Sequence, residues 1–366
     1  MTRVFCRARA AASAAQIGRA VHPTRTARAA RLARPARAPR AAALAVVLAA
    51  LAGCAGTTGT GAGAGAEASA SPSTTSHAPL AFSNCGFDVV IPSPPQRVVA
   101  IKSTSIEMML ALGLRDRIVG VGFADGPYAD AWAPADPPPV LSDRVPSQEA
   151  VLALAPDLVY AGWESNLTAD GAGDRATLAR LGTATLVSPS ACREAALRPD
   201  PLTWDDLWAE ISLVGDVFGV PDRAGDLVSG EKARLAAVAP DGRGLTALWY
   251  SSGSDVPYVG AGIGAPELIM DAVGLRNIAA DVHDSWASLS WEAVVDADPD
   301  VIVLVDSAWG STQKKIAQLE GNPATAALSA VRAHRYLIVP FAAGEAGVRT
   351  VEAVETLAAQ LAELPQ

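Results

Sequence analysis

Histidine is scarce: four in 366 residues, at positions 22, 77, 283 and 334. No two stand at ligand spacing, so a bare metal centre of the His-rich kind is not expected. No G-x-S-x-G elbow occurs, and Ser252-Gly253-Ser254 has the wrong spacing for one. A Ser–His–Asp hydrolase would have only His283 or His334 to draw on. Long apolar runs are missing too. Ala41 to Ala52 is about 12 residues, against the roughly 20 needed to cross a bilayer. Basic charge is concentrated at the N-terminus: residues 1–53 hold ten Arg and no acid. Without them Lys+Arg falls from 29 to 19 against 38 Asp+Glu, a net charge of −19. A surface that acidic excludes nucleic acid as a partner, because phosphate binding needs basic groups.

Cysteine is equally sparse, and each of the four has a place. Leu51-Ala52-Gly53-Cys54 closes the apolar run after the Arg-rich stretch. A basic region, a short apolar region and small residues before a cut describe a secretory signal peptide over 1–53. The cysteine at the cut resembles the bacterial lipobox. That resemblance implies a lipid on Cys54 and a mature protein outside the cytoplasmic membrane, anchored to it. Residues 54–78, which after Cys54 are almost wholly Gly, Ala, Ser and Thr with one acid, read as a flexible tether. Cys6 leaves with the signal. Cys85 and Cys192 are then an even pair in an oxidising compartment, either bridged or buried as separate thiols. A bridge would pin the entry segment to a loop about a hundred residues on, contributing roughly 3–5 kcal/mol.

The remainder, 79–366, alternates short apolar strands with helices. Arg97–Ile101, Ile118–Gly122, Asp157–Ala161 and Thr185–Val187 read as strands, with helices over Ser105–Leu112 and Arg175–Leu181. Two helical stretches follow, Trp204–Phe218 and Pro221–Val238. The alternation restarts at Leu245–Tyr250 and continues through Val301–Val305 and Tyr336–Val339 to a last helix at Thr350–Leu364. Strand–helix alternation of this kind predicts an α/β fold with parallel sheets. An internal repeat sharpens it. Ser147-Gln-Glu-Ala-Val-Leu-Ala-Leu-Ala-Pro-Asp157-Leu-Val-Tyr160 matches Ser290-Trp-Glu-Ala-Val-Val-Asp-Ala-Asp-Pro-Asp300-Val-Ile-Val303, with six of fourteen positions identical. Each copy reads as a short helix, Pro-Asp and a buried strand, one on each side of the helical middle. Two similar lobes follow: 79–200, a helical linker region 201–243, and 244–366.

At this point the chain resembles the substrate-binding lipoproteins of ABC importers for siderophores, haem and cobalamin. The landmarks are Arg97-Val-Val-Ala100 with Glu107 and Leu112-Gly113, then Glu149 with Pro156-Asp157-Leu158. Leu213 to Gly219 and Trp291-Glu292 before Pro299-Asp300-Val301 complete them. The resemblance implies two Rossmann-like lobes with parallel sheets joined by a single long helix, the helical-backbone periplasmic-binding-protein fold. It also implies a small-molecule ligand held between the lobes, little lobe movement, no cofactor, no enzyme activity, a monomer, and a permease dimer with a cytosolic ATPase as partners. Within that family the chain is similar to an actinobacterial subgroup assigned to uptake of factor 420-0, a 5-deazaflavin coenzyme precursor. Asn84-Cys85-Gly86, Ile101 to Glu107 and the Trp-rich Leu202–Trp208 carry this narrower likeness.

Glu149 and Glu292 sit in the first turns of the two repeated helices, where a carboxylate favours the helix dipole. The resemblance implies a second use for them, as one docking carboxylate per lobe for arginine pockets of the permease, a directional pairing. Glu107, mid-helix among apolar residues, is the weaker candidate. Ligand contacts are expected from loops at strand ends facing the opposite lobe. These are Lys102-Ser103-Thr104, Tyr128 with Trp132, Trp163 to Asn166 and Ser188 to Arg193 in the first lobe. In the second they are Tyr250 to Ser252, Ser285-Trp286, Asp306 to Trp309 and Phe341 to Glu345. Aromatics make up only 5% of the chain, yet several fall directly after strands. Such rings either pack in the core or stack a planar heteroaromatic ligand, worth about 1–3 kcal/mol each. Lys102, Ser103 and Thr104, between a strand and a helix start, suit an anion; otherwise Lys102 is a solvated surface charge. Few arginines can be placed near the cleft beyond Arg193 and Arg349, which speaks against highly anionic chelates.

Overall fold

The computed structural model describes residues 79–365. The signal peptide, Cys54 and the tether lie outside the described residues. A hairpin opens the folded part: β1 (Leu80–Asn84) pairs antiparallel with β2 (Phe87–Ile91). The first sheet then follows: β3 (Val98–Ile101), α1 (Ser103–Ala111), β4 (Ile118–Gly122), β5 (Val140–Ser142), α2 (Gln148–Leu152), β6 (Leu158–Ala161), α3 (Arg175–Arg180) and β7 (Ala184–Val187). All its pairings are parallel, in the order β5-β4-β3-β6-β7. Strands β3 and β6 are buried at every position, which is why they read as unbroken apolar runs. The chain adds β4 and β5 on one side of β3 and β6 and β7 on the other. The C-terminal end of β3, at Lys102, is therefore the sheet's switch point, where α/β folds place ligands.

Between the lobes stand α4 (Trp204–Phe218) and α5 (Pro221–Ala237). The two helices form a hairpin in the expected linker region, and one of them, α5, joins the lobes. Gly219 ends α4 in the left-handed region (φ 66°), and Pro221 starts α5 at a position that needs no N–H donor. Gly215 lets the helices meet, because a Cβ there would collide with Ala224. Helix α5 carries the chain across: Arg223 near its start donates to Leu112 and Gly113 carbonyls in the first lobe, and Arg234 near its end pairs with Glu355 in the second.

The second sheet is built from β8 (Thr246–Ser252), β9 (Tyr258–Gly260), α6 (Ala265–Ala272), β10 (Arg276–Asn277), β11 (Trp286–Ser288), α7 (Trp291–Ala297), β12 (Val301–Asp306), α8 (Thr312–Gly321), α9 (Ser329–Arg332), β13 (Tyr336–Pro340) and α10 (Thr350–Glu363). Its order is β11-β9-β8-β12-β13, with β10 on β8. It is mixed, not parallel throughout: β9 runs antiparallel to β8 and β11. The short connection 253–257 can close only a hairpin, since a parallel crossover needs a dozen residues or more.

The repeat has a physical content. Ser147 caps α2 by accepting from Ala150 N (3.2 Å), and Ser290 caps α7 by accepting from Ala293 N (3.1 Å). Ala155 and Asp298, each just before the proline, both have positive φ. The aspartates that follow tie neighbouring strands. Asp157 accepts from Gln96 and Arg97 amides, and Asp300 accepts from the amide and hydroxyl of Thr246. In both lobes the carboxylate fixes where the central strand begins.

Candidate functional site

A strap, residues 188–202, leaves the first lobe after β7 and reaches the second. Cys192 holds it to Cys85 in a disulfide, so the bridged alternative is the one present. At its other end Leu202 N donates to Ile263 O (2.9 Å), Asp200 meets His283 (2.9 Å) and Arg198 meets Asp284 (3.6 Å). The strap and the facing strand ends enclose a cleft of about 1020 Å³. Loops expected from the sequence line it through Trp163, Ser251, Ser252, Trp286, Trp309 and Phe341.

The rings form one connected set across both lobes. Phe123 meets Trp163 edge-on (6.2 Å between centroids), and Trp163 meets Phe341 (6.1 Å). Phe341 stacks on Trp286 (6.3 Å), and Trp286 stacks on Tyr258 (6.1 Å). Trp309 abuts Phe341 at 4.7 Å and remains 48% exposed. The Trp286 and Tyr258 planes are nearly parallel, 13° apart, an arrangement that suits a planar guest.

Lys102 lies beneath this wall, fully buried. Its ammonium pairs with Asp125 and sits 3.8 Å from the Trp163 centroid, 4.5 Å from Phe123 and 4.9 Å from Phe341. Desolvation pushes the Asp125 carboxyl up, against the pull of Lys102. Lys102 also has φ 80°, a conformation other residues avoid and one that collects at functional sites. Gly162 makes room for it, since a Cβ there would strike Thr104 and Lys102. This corrects the expectation for Lys102-Ser103-Thr104. All three are buried and support the cleft from below; Lys102 is neither a solvated charge nor an open anion site.

Three other expected contacts lie elsewhere. Tyr128 and Trp132 line a separate hollow of about 260 Å³ with Arg234, Arg349 and Glu352. Tyr250 packs edge-on against Trp291 (5.4 Å) in the second lobe's core, its hydroxyl donating to Gly253 O. Arg349 is buried and paired with Glu352 (2.8 Å) and Glu107 (3.4 Å), and that pairing removes Glu107 as a docking carboxylate. Glu149 and Glu292 are both exposed. Phe123, Tyr258, Arg144 and Arg198 line the cleft without having been singled out. Phe123 directly follows β4, so the strand-end rule could have found it. The two arginines lie in irregular loops with no periodicity to mark them; with Arg193 they put three arginines in the lining, so the expected shortage, and the argument from it against anionic chelates, is corrected. His283 and His334 are exposed and each faces one carboxylate, Asp200 and Glu320.

Three buried carboxyls hold protons unusually tightly. Glu345 accepts from Trp163 Nε1 (2.7 Å), and burial pushes it up to about 7 despite Lys102 nearby. Glu107 is pushed up to about 7 by burial against the pull of Arg349. Glu210, on α4 and reached by the Tyr160 hydroxyl at 3.4 Å, rises to about 7 for the same reason. These groups hold protons more tightly folded than unfolded. Their contribution is full below their ordinary value of 4.5 and is lost as pH rises through about 7. Thermal scans at pH 5.5 and pH 8 should show the higher midpoint at pH 5.5, and Glu345→Gln should shrink the difference. Equal midpoints would contradict the burial of these carboxyls.

A family model described as "Periplasmic binding protein" matches residues 98–343. The Bacillus subtilis protein named "Uncharacterized ABC transporter substrate-binding lipoprotein YvrC" is 26% identical over 279 residues, covering 74% of this chain and 81% of that one. A "Cobalamin-binding protein" of Halobacterium salinarum is 30% identical over 234 residues, 60% of this chain and 56% of the relative. Among solved structures, an ABC-type Fe3+-hydroxamate transport system from Saccharomonospora viridis superposes with a TM-score of 0.66 at 26% identity, covering 78% of this chain and 99% of that one.

Proposed function

This chain belongs to the periplasmic binding protein family, and from that membership we propose that it is the ligand-capturing component of an ABC importer. It works outside the cytoplasmic membrane, tethered through a lipid on Cys54. It holds a small ligand between its lobes and delivers it to a permease dimer driven by a cytosolic ATPase. No bond in the ligand changes. The observation that carries this reading is the cleft, about 1020 Å³ and walled by rings from both lobes. That is the size and lining of a site for a ligand larger than a single sugar or amino acid.

The favoured ligand is a planar heteroaromatic, specifically the deazaflavin precursor factor 420-0. The near-parallel Trp286 and Tyr258 rings support a flat guest. A corrinoid is the second reading, favoured by the name of the Halobacterium relative. Titrating the full chain in detergent with factor 420-0, cobalamin, haem and a ferric hydroxamate, following tryptophan emission, separates them. Saturable binding of factor 420-0 alone, micromolar or tighter, is the expected result. Binding of another member of the set alone would retire the deazaflavin assignment and keep the importer.

Exposed Glu149 and Glu292 head equivalent capped helices in the two lobes. Docking through them predicts that Glu149→Ala/Glu292→Ala abolishes uptake in cells while ligand affinity stays unchanged. Normal uptake by the double variant would remove the docking role.

A further inference from the structure

We infer that the strap carries an anion-binding subsite, Arg193 and Arg198 with Arg144 across the same cleft, that selects ligands joining a planar aromatic body to a phosphate, phosphodiester or carboxylate. The inference rests on the cleft being the ligand site. It moves the anion contact away from Lys102, whose charge is already taken by Asp125.

Charge is the first argument. Beyond residue 53 the chain carries a net −19, yet the charged side chains lining the cleft are three arginines and one acid, Glu345. Glu345 is only 9% exposed and engaged by the Trp163 indole. With its carboxyl pushed up to about 7, it opposes the arginines with less than a full charge at neutral pH. A cationic mouth over apolar walls concentrates field on an entering anion.

Availability is the second. Arg175, Arg234, Arg243 and Arg349 are each paired within the fold. Among the described residues, neither Arg144 nor Arg193 has a carboxylate within 4.0 Å of its guanidinium, and Arg198 has only Asp284 at 3.6 Å, itself half-exposed. Free guanidinium groups offer the planar fork that phosphate and carboxylate accept in pairs.

Preorganisation is the third. Arg193 follows the disulfide-bonded Cys192, and its backbone N donates to Glu164 (2.7 Å). Arg198 lies four residues before Leu202, whose N is fixed to Ile263 O. The strap is held at both ends, so little ordering is left for the ligand to impose.

The test uses riboflavin and riboflavin 5′-phosphate, which share a tricyclic ring and differ by one phosphate, titrated into the full chain by tryptophan emission. The phosphate is expected to tighten binding about 10- to 100-fold. Added salt should narrow the gap. Arg193→Gln/Arg198→Gln should close it, by weakening the phosphate form more than riboflavin. Equal affinities, or a gap that survives both the double variant and high salt, would overturn the subsite and leave the aromatic cleft standing. Binding of neither probe would overturn the subsite and the flat-ligand reading together. The salt series needs no variant, so the outcome does not depend on how well the double variant folds.

Discussion

Lys102→Met is expected to destabilise the protein by about 3–5 kcal/mol, the usual loss when one partner of a buried ion pair is removed. Asp125 is as buried as Lys102, and the amide of Ser103 (3.2 Å) would be its main remaining support. The ammonium is also shared between lobes: Phe123 and Trp163 come from the first, Phe341 and Trp309 from the second. Its loss should therefore weaken the seam between the lobes as well as the first lobe itself. The sign with pH follows from the orphaned carboxylate. Without Lys102 the Asp125 carboxyl rises further and is more easily neutralised, so the loss should be smaller at pH 5 than at pH 8. Urea unfolding at both pH values measures this. Lys102→Met/Asp125→Asn, which leaves no orphaned charge, should recover most of the stability. A single variant within about 1 kcal/mol of the unaltered chain would mean that the pair is not buried as described.

Removing the disulfide should cost a comparable amount. Cys85 and Cys192 are 107 residues apart, and a loop near that length restrains the unfolded chain by about 4–5 kcal/mol in the chain-entropy account. Cys85→Ser/Cys192→Ser is expected to lower the urea midpoint accordingly, and reductant should do the same to the unaltered chain. Function should suffer too, because Cys192 lines the cleft and anchors the strap that bears Arg193. Affinity for riboflavin 5′-phosphate should fall more than affinity for riboflavin. An unchanged midpoint after reduction would contradict the bridge.

Much of the scaffold was legible because its signals are periodic and local. Helix α4 matches its expected bounds, Trp204–Phe218, because Thr203 and Asp206 form a capping box at one end and Gly219 stops the other. The repeat announced the shared frame of the lobes because Pro-Asp has the same job twice, tying β3 and β8. What was not legible depends on distance. Strands β9 and β11 are three residues each and exist only through long-range pairing, β9 on β8 and β11 on β9. The return of α4 along α5 depends on Gly215 meeting Ala224, which no local pattern reveals.

The site shows the same division. Trp163 and Trp309 lie in the cleft lining because they follow strands β6 and β12, which end there, whereas Trp286 opens the short strand β11. Lys102 was placed on the right loop and given the wrong environment. Whether a lysine is solvated or caged depends on Asp125, 23 residues on, and on Phe341 from the other lobe. Tyr128 and Trp132 obey the same composition rule as the cleft rings and face another hollow, because the excursion between β4 and β5 carries them toward α5 and α10.

The central claim is that the ligand sits between the lobes against the shared aromatic wall. Its most direct test is the affinity of Trp286→Ala relative to the unaltered chain, using whichever of factor 420-0, cobalamin, haem or ferric hydroxamate binds. Loss of one stacking surface predicts affinity weaker by about tenfold or more, with the unfolding midpoint little changed because Trp286 is only partly buried. Unaltered affinity for a ligand that binds saturably, or no binding by any of the four, would contradict the account.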